Sequence, residues 1–142
     1  MFQAANQIIS KLNITSLLDL TQNEATGPKV LLRIQNKTAS YTVLQSDSGT
    51  VFTNYGDTNA IVYTLPTSIT KGWFALFINM VNYSMTVTNG TAGALITHDS
   101  LVANSVDFDT GSEMIGQAVF VFSNGSAFVA LQLTAGTFDV NE

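Results

Sequence analysis

Cysteine is absent from this chain, and proline nearly so, with two in 142 residues. The first absence excludes disulfide staples and thiolate metal sites and leaves the redox compartment unread. Charge is scarce as well: Asp, Glu, Lys and Arg make up 11% of the residues, under half of the usual quarter. The five basic residues, Lys11, Lys29, Arg33, Lys37 and Lys71, form no cluster, and the net charge is -5. Nucleic acid is therefore not an expected partner, since phosphate binding rests on grouped Lys and Arg. Long apolar runs are missing too. The longest, Trp73 to Val81, is broken by Asn79, so no membrane span is expected. The opening Met1 to Gln7 has neither the basic start nor the unbroken apolar core of a secretory signal. Without one, the Asn-x-Ser/Thr triplets at Asn13, Asn36, Asn82, Asn89 and Asn124 read as composition, not as glycosylation sites.

Ser, Thr, Asn and Gly take the place of charge, in stretches such as Ser46 to Thr50 and Thr86 to Thr91. The first three have short side chains that lose little entropy on ordering. Lys and Glu lose up to about 2 kcal/mol each and are depleted at interface cores. Such a composition suits a protein whose exterior is largely occupied by neighbouring subunits. Apolar residues make up 46% of the chain, and its length fits one domain with a sizeable core.

Residues 3 to 20 place Ile8, Ile9, Leu12, Leu17 and Leu18 at spacings that suit one or two short amphipathic helices or an extended arm, interrupted at Asn13 and at Thr15 to Ser16. Thr21 to Pro28 has loop composition. The expected organisation is an N-terminal arm and hinge over 1–28 and a β domain over 29–142. Isolated helices this short are marginal in water, so the five apolar arm residues are expected to contact a neighbouring subunit.

From Lys29 onward β-branched and aromatic runs alternate with Gly, Asn, Asp and Ser punctuation. The runs are Val30 to Ile34, Tyr41 to Leu44, Val51 to Asn54, Ala60 to Leu65, Trp73 to Val81, Met85 to Thr88, Ala94 to Thr97, Ala118 to Phe122 and Ala127 to Leu133. They predict an all-β fold, an antiparallel β-sandwich or barrel of eight or nine short strands. Asn124-Gly125 between the last two runs predicts a two-residue hairpin turn, since both residues accept positive φ. Pro66 is expected to end the strand before it. No repeat of fixed period is visible, which argues against a solenoid.

Few residues offer chemistry. Asp107-Phe108-Asp109-Thr110-Gly111 resembles the active-site loop of aspartic proteases, but only 31 residues follow Gly111 and the apolar-apolar-Gly element of that family is misplaced at Met114 to Gly116. A polar loop is the simpler reading. Asp107, Asp109 and Glu113 also suit calcium, which takes several hard oxygens, so a metal loop and a solvated acidic loop both stand. The sole histidine, His98, has no second histidine or cysteine to join it and reads as a turn residue. Trp73, Tyr41, Tyr55, Tyr63 and Tyr83 could stack on sugar rings, yet all but Tyr55 sit near apolar runs and suit packing. No glycine-rich loop leads to a nucleotide site. No enzyme, catalytic residue or cofactor is expected.

After Thr38 to Val43, the order Asp47-Ser48-Gly49-Thr50-Val51-Phe52-Thr53-Asn54, then Gly56, Tyr63-Thr64-Leu65-Pro66 and Lys71-Gly72, resembles a β module of tailed-bacteriophage virion proteins, found in capsid decoration (cement) proteins and fibre-associated proteins. The resemblance covers roughly residues 36 to 133. Where the family has a tryptophan in the final hairpin, this chain has Phe128-Val129-Ala130. In those terms Asp47 and Gly49 make a turn, and Val51 and Phe52 enter the core. The resemblance implies a β-rich homotrimer on the outer capsid surface of the virion, bound where major capsid protein subunits meet and stabilising the head. Its fibre-associated members imply the alternative, a fibre or adhesin module binding host surface carbohydrate.

Overall fold

The computed structural model describes residues 32–68, 70–91, 94–108, 115–134 and 139–141. The expected arm and hinge over 1–28, with Ile8, Ile9, Leu12, Leu17 and Leu18, lie outside the described residues, as do 29–31.

Short β-branched and aromatic runs become strands because alternate side chains find a core. Ile61-Val62-Tyr63-Thr64 buries Ile61 and Tyr63 and turns Val62 outward, the period of two that a pleated strand imposes. Eleven strands run through the described residues: β1 (Arg33–Asn36), β2 (Tyr41–Thr42), β3 (Thr50–Thr53), β4 (Ile61–Thr64), β5 (Phe74–Ile78), β6 (Met85–Thr88), β7 (Leu95–Ile96), β8 (Ser105–Phe108), β9 (Ala118–Ser123), β10 (Phe128–Gln132) and β11 (Asp139–Asn141). They form a six-stranded sheet in the order β1-β3-β5-β9-β10-β7 and a five-stranded sheet in the order β11-β8-β6-β4-β2.

The all-β expectation holds, but the sheets are mixed, not antiparallel. Through β9 the chain crosses from one sheet to the other at every connection. Strands two apart in sequence are thus entered from the same end, and β1/β3, β3/β5, β2/β4 and β4/β6 pair in parallel. Antiparallel pairing is confined to β5/β9, β9/β10, β6/β8 and β8/β11. Residues 33–88 therefore wind between the two sheets three times. The turns are unequal: Arg33 pairs with Thr50, 17 positions on, and Thr50 with Ala75, 25 positions on. A coil of that kind leaves no fixed repeat in the sequence.

The two sheets share one core. Phe52 of β3 stacks on Phe77 of β5 with centroids 5.3 Å apart, and Tyr63 of the other sheet lies 5.5 Å from Phe52 and 5.2 Å from Phe77. Trp73 meets Phe128 edge-on at 5.4 Å. Val51, expected in the core beside Phe52, points the other way, because successive strand residues face opposite sides.

Two strands were not foreseen. β8 takes up Ser105–Phe108, a segment expected to be loop. Val106 and Phe108 enter the core while Asp107 faces outward, so the apolar-polar alternation of a strand was present under the acidic residues. β11 pairs with it.

The last hairpin forms, with a different turn. Ser123 pairs with Phe128, which leaves four connecting residues centred on Gly125-Ser126. Gly125 has φ 99° and no non-glycine residue has positive φ, the pattern of a type II′ turn with glycine first. Asn124 stays out of the left-handed region. Its side-chain oxygen accepts from the Ser126 and Ala127 amides, both at 2.8 Å. A Cβ at Gly125 would lie 3.2 Å from Lys71 Cβ. Gly125→Val should therefore lower stability by about 2 kcal/mol, from left-handed strain alone. The urea midpoint should fall at unchanged slope.

Candidate functional site

Each sequence candidate has a definite place. Asp107 lies on the outer side of the five-stranded sheet between Thr86 and Asp139. One of its oxygens accepts from the Asn141 amide, and the other is buried without a hydrogen-bond partner. Asp109 and Glu113 lie outside the described residues, so no calcium loop is assembled within them. No three His, Asp or Glu side chains gather as a metal site among the described residues. His98 Nδ1 is 3.6 Å from Asp99 Oδ1, with both side chains more than half exposed.

The aromatic residues do not converge on one platform. Trp73 and Tyr63 are in the core. Tyr63 donates its hydroxyl to the Thr53 carbonyl at 2.9 Å; burial, with the Asp57 charge second, pushes its ionisation well above the usual tyrosine range. Tyr41 is half-buried and donates to Asp47, with Lys37 Nζ 3.7 Å from its ring centroid. Only Tyr55, 67% exposed, and Tyr83 are open to solvent. Among the described residues no helix is long and apolar enough to cross a membrane.

The surface that stands out was legible only in part. Strands β5 and β9, Phe-Ala-Leu-Phe-Ile and Ala-Val-Phe-Val-Phe-Ser, are apolar at nearly every position. One half of each strand faces the core: Ala75, Phe77, Val119 and Val121. The other half forms the outer face of the six-stranded sheet. Register aligns Ile34, Val51, Leu76, Phe120 and Leu131 in one row across five strands. A second row holds Phe74, Phe122, Val129 and Ile96. Phe120 lies 5.9 Å from Phe74 and 6.1 Å from Phe122, centroid to centroid. Ile34 is 65% exposed, Leu131 46% and Phe74 43%.

The opposite face has another chemistry. There, register aligns Val62, Thr86, Asp107 and Asp139 in one row and Thr42, Thr64, Thr88, Ser105 and Asn141 in the next. Threonine hydroxyls and carboxylates are stable in water, whereas a contiguous apolar face of several hundred Å² marks a protein contact. Strands that are apolar on both sides are ordinarily covered on both. That double-sided pattern was the signal available in the sequence.

The arrangement binds; it does not catalyse. The outer row has no titratable group, and the buried carboxylate of Asp47 is held by Arg33, Gln35, Tyr41 and the Leu44 amide as a structural tie. No family model and no curated relative matches the chain.

Proposed function

We propose that this chain is a virion structural protein of a tailed bacteriophage, a homotrimeric capsid decoration (cement) protein that binds the outer face of the head lattice and stabilises it. The observation that carries the assembly role is the contrast between the two outer faces, one of Phe, Leu, Ile and Val and one of Thr, Ser, Asn and Asp. A charge-poor exterior supports the same role, since little desolvation of charge opposes packing against neighbours. The station on a phage head is drawn from the resemblance carried by Asp47 to Asn54 and Tyr63 to Pro66. Its partner is the major capsid protein, with no nucleic acid, membrane, cofactor or catalytic residue involved.

The mechanism is linkage. A ligand that binds the assembled lattice and not its dissociated subunits stabilises it by RT ln(1 + [L]/Kd), about 2.7 kcal/mol per site at a hundredfold excess over Kd. Purified virions should carry this chain in hundreds of copies. Heads lacking it should disassemble at lower temperature and recover when it is added back. A handful of copies confined to the tail would overturn the decoration role in favour of a fibre or adhesin module, where exposed Tyr55 is available to a sugar ring.

A further inference from the structure

Resting on the assembly role above, we propose that the outer face of the six-stranded sheet, centred on Phe74, Phe120 and Phe122, buries against the same face of other copies of this chain. The threonine face and the loop ends then remain for the shell.

Position comes first. β5 and β9 are the middle pair in the strand order, so the three phenylalanine rings occupy the centre of the face. Aromatic anchors at the centre of a patch carry most of the binding energy of an interface. Apolar side chains continue on both flanks, Ile34 on one side and Leu131 on the other. Each copy can therefore offer one flank to each of two neighbours, as a closed threefold ring requires.

Charge selects the occupant. Copies of a chain with net charge -5 repel wherever carboxylates meet. On the threonine face, self-contact would bring Asp107 and Asp139 of each copy together. In the six strands of the apolar sheet Arg33 is the sole charged residue, and it turns away to Asp47. This is the sheet face where self-association brings no like charges together.

Area is sufficient. Six strands spaced about 4.8 Å apart, with four to six residues at about 3.3 Å each, span roughly 500 Å² in projection. Pressing two such faces together buries on the order of 1,000 Å², the lower bound for a specific interface. Small disc-like contacts of that size are stable only with well-packed anchors, which the phenylalanine cluster supplies.

The absence of cysteine makes the test direct. Leu131→Cys and, as a control on the threonine face, Thr86→Cys are each treated with a short bis-maleimide, and the parent chain is examined by sedimentation velocity at micromolar concentration. A trimer is expected, with Leu131→Cys cross-linking at least tenfold faster than Thr86→Cys. Phe120→Asp should raise the subunit dissociation constant by a hundredfold or more. Because Phe120 lies on a central strand, its far-UV circular dichroism is measured alongside, and the cross-linking comparison stands whether or not that variant folds. A dimer that cross-links through Leu131→Cys supports the face and overturns threefold closure. A monomeric parent chain, or equal cross-linking at the two positions, overturns the proposal. If that monomer still binds heads and Phe120→Asp abolishes the binding, the decoration role survives and the face belongs to the capsid protein instead.

Discussion

Phe52→Ala is expected to cost about 3–5 kcal/mol, the range for deleting a fully buried aromatic ring. Phe52 is 0% exposed and its ring meets three others: Tyr41 at 5.8 Å, Tyr63 at 5.5 Å and Phe77 at 5.3 Å. Those partners come from both sheets, so the cavity would open where the sheets are joined. The four rings cannot collapse inward together because Tyr63 is tied through its hydroxyl to the Thr53 carbonyl and Tyr41 to Asp47. A single domain of this size has about 5–15 kcal/mol to lose, so the variant should be only marginally folded at 37 °C. Urea unfolding of Phe52→Leu and Phe52→Ala checks it. Leu should recover more than half of the loss, and equal midpoints would show that ring packing at this position contributes little.

Asp47→Ala should be the next most damaging change, at about 2–4 kcal/mol. The carboxylate is 3% exposed and fully used. Oδ1 accepts from Arg33 Nη2 and, at 3.3 Å, from Gln35 Nε2; Oδ2 accepts from the Leu44 amide at 2.9 Å and the Tyr41 hydroxyl at 3.0 Å. One side chain thereby joins β1 and β2, in different sheets, to the short 3-10 turn of Gln45–Asp47. Burial on its own would raise its ionisation, but the Leu44 amide, the Tyr41 hydroxyl, the Arg33 charge and the Gln35 amide outweigh it and hold the carboxyl below its usual 3.8. A folded-state value below the unfolded one means that the contribution is complete above about pH 4 and is lost as pH falls through the folded value. Stability measured from pH 7 down to pH 2.5 should fall for the parent chain. The fall should be shallower for Asp47→Asn, which has no charge to lose. Parallel curves for the two proteins would show that the acid sensitivity resides elsewhere.

Both sites illustrate where local sequence stops being informative. Asp47 was legible as a turn residue next to Gly49, and Gly49 does adopt φ 81°. Its role as a tie was not, because Arg33 lies 14 positions away and reaches it only when β1 docks beside β3. Asn124-Gly125 was legible as a turn, yet its register shifted by one residue when the Asn124 side chain took over two backbone amides. The strand at Ser105–Phe108 was obscured by its acidic neighbours, although Val106 and Phe108 keep the alternation of a buried strand.

By itself the sequence determined the class of the molecule. β-branched and aromatic runs with period two, few charges and glycine-marked turns leave an all-β body with one core as the solution that buries those side chains. It determined as well that some strands are apolar on both sides, in Phe74–Ile78 and Ala118–Ser123. Which strands pair, and in which direction, was decided by the tertiary structure, because crossing between sheets at each connection makes parallel neighbours out of runs 17 to 25 residues apart. Tertiary structure also decided that Phe52 faces the core and Val51 the outer row. Alternation separates two faces of a strand, but only the position of the second sheet says which of them is inside.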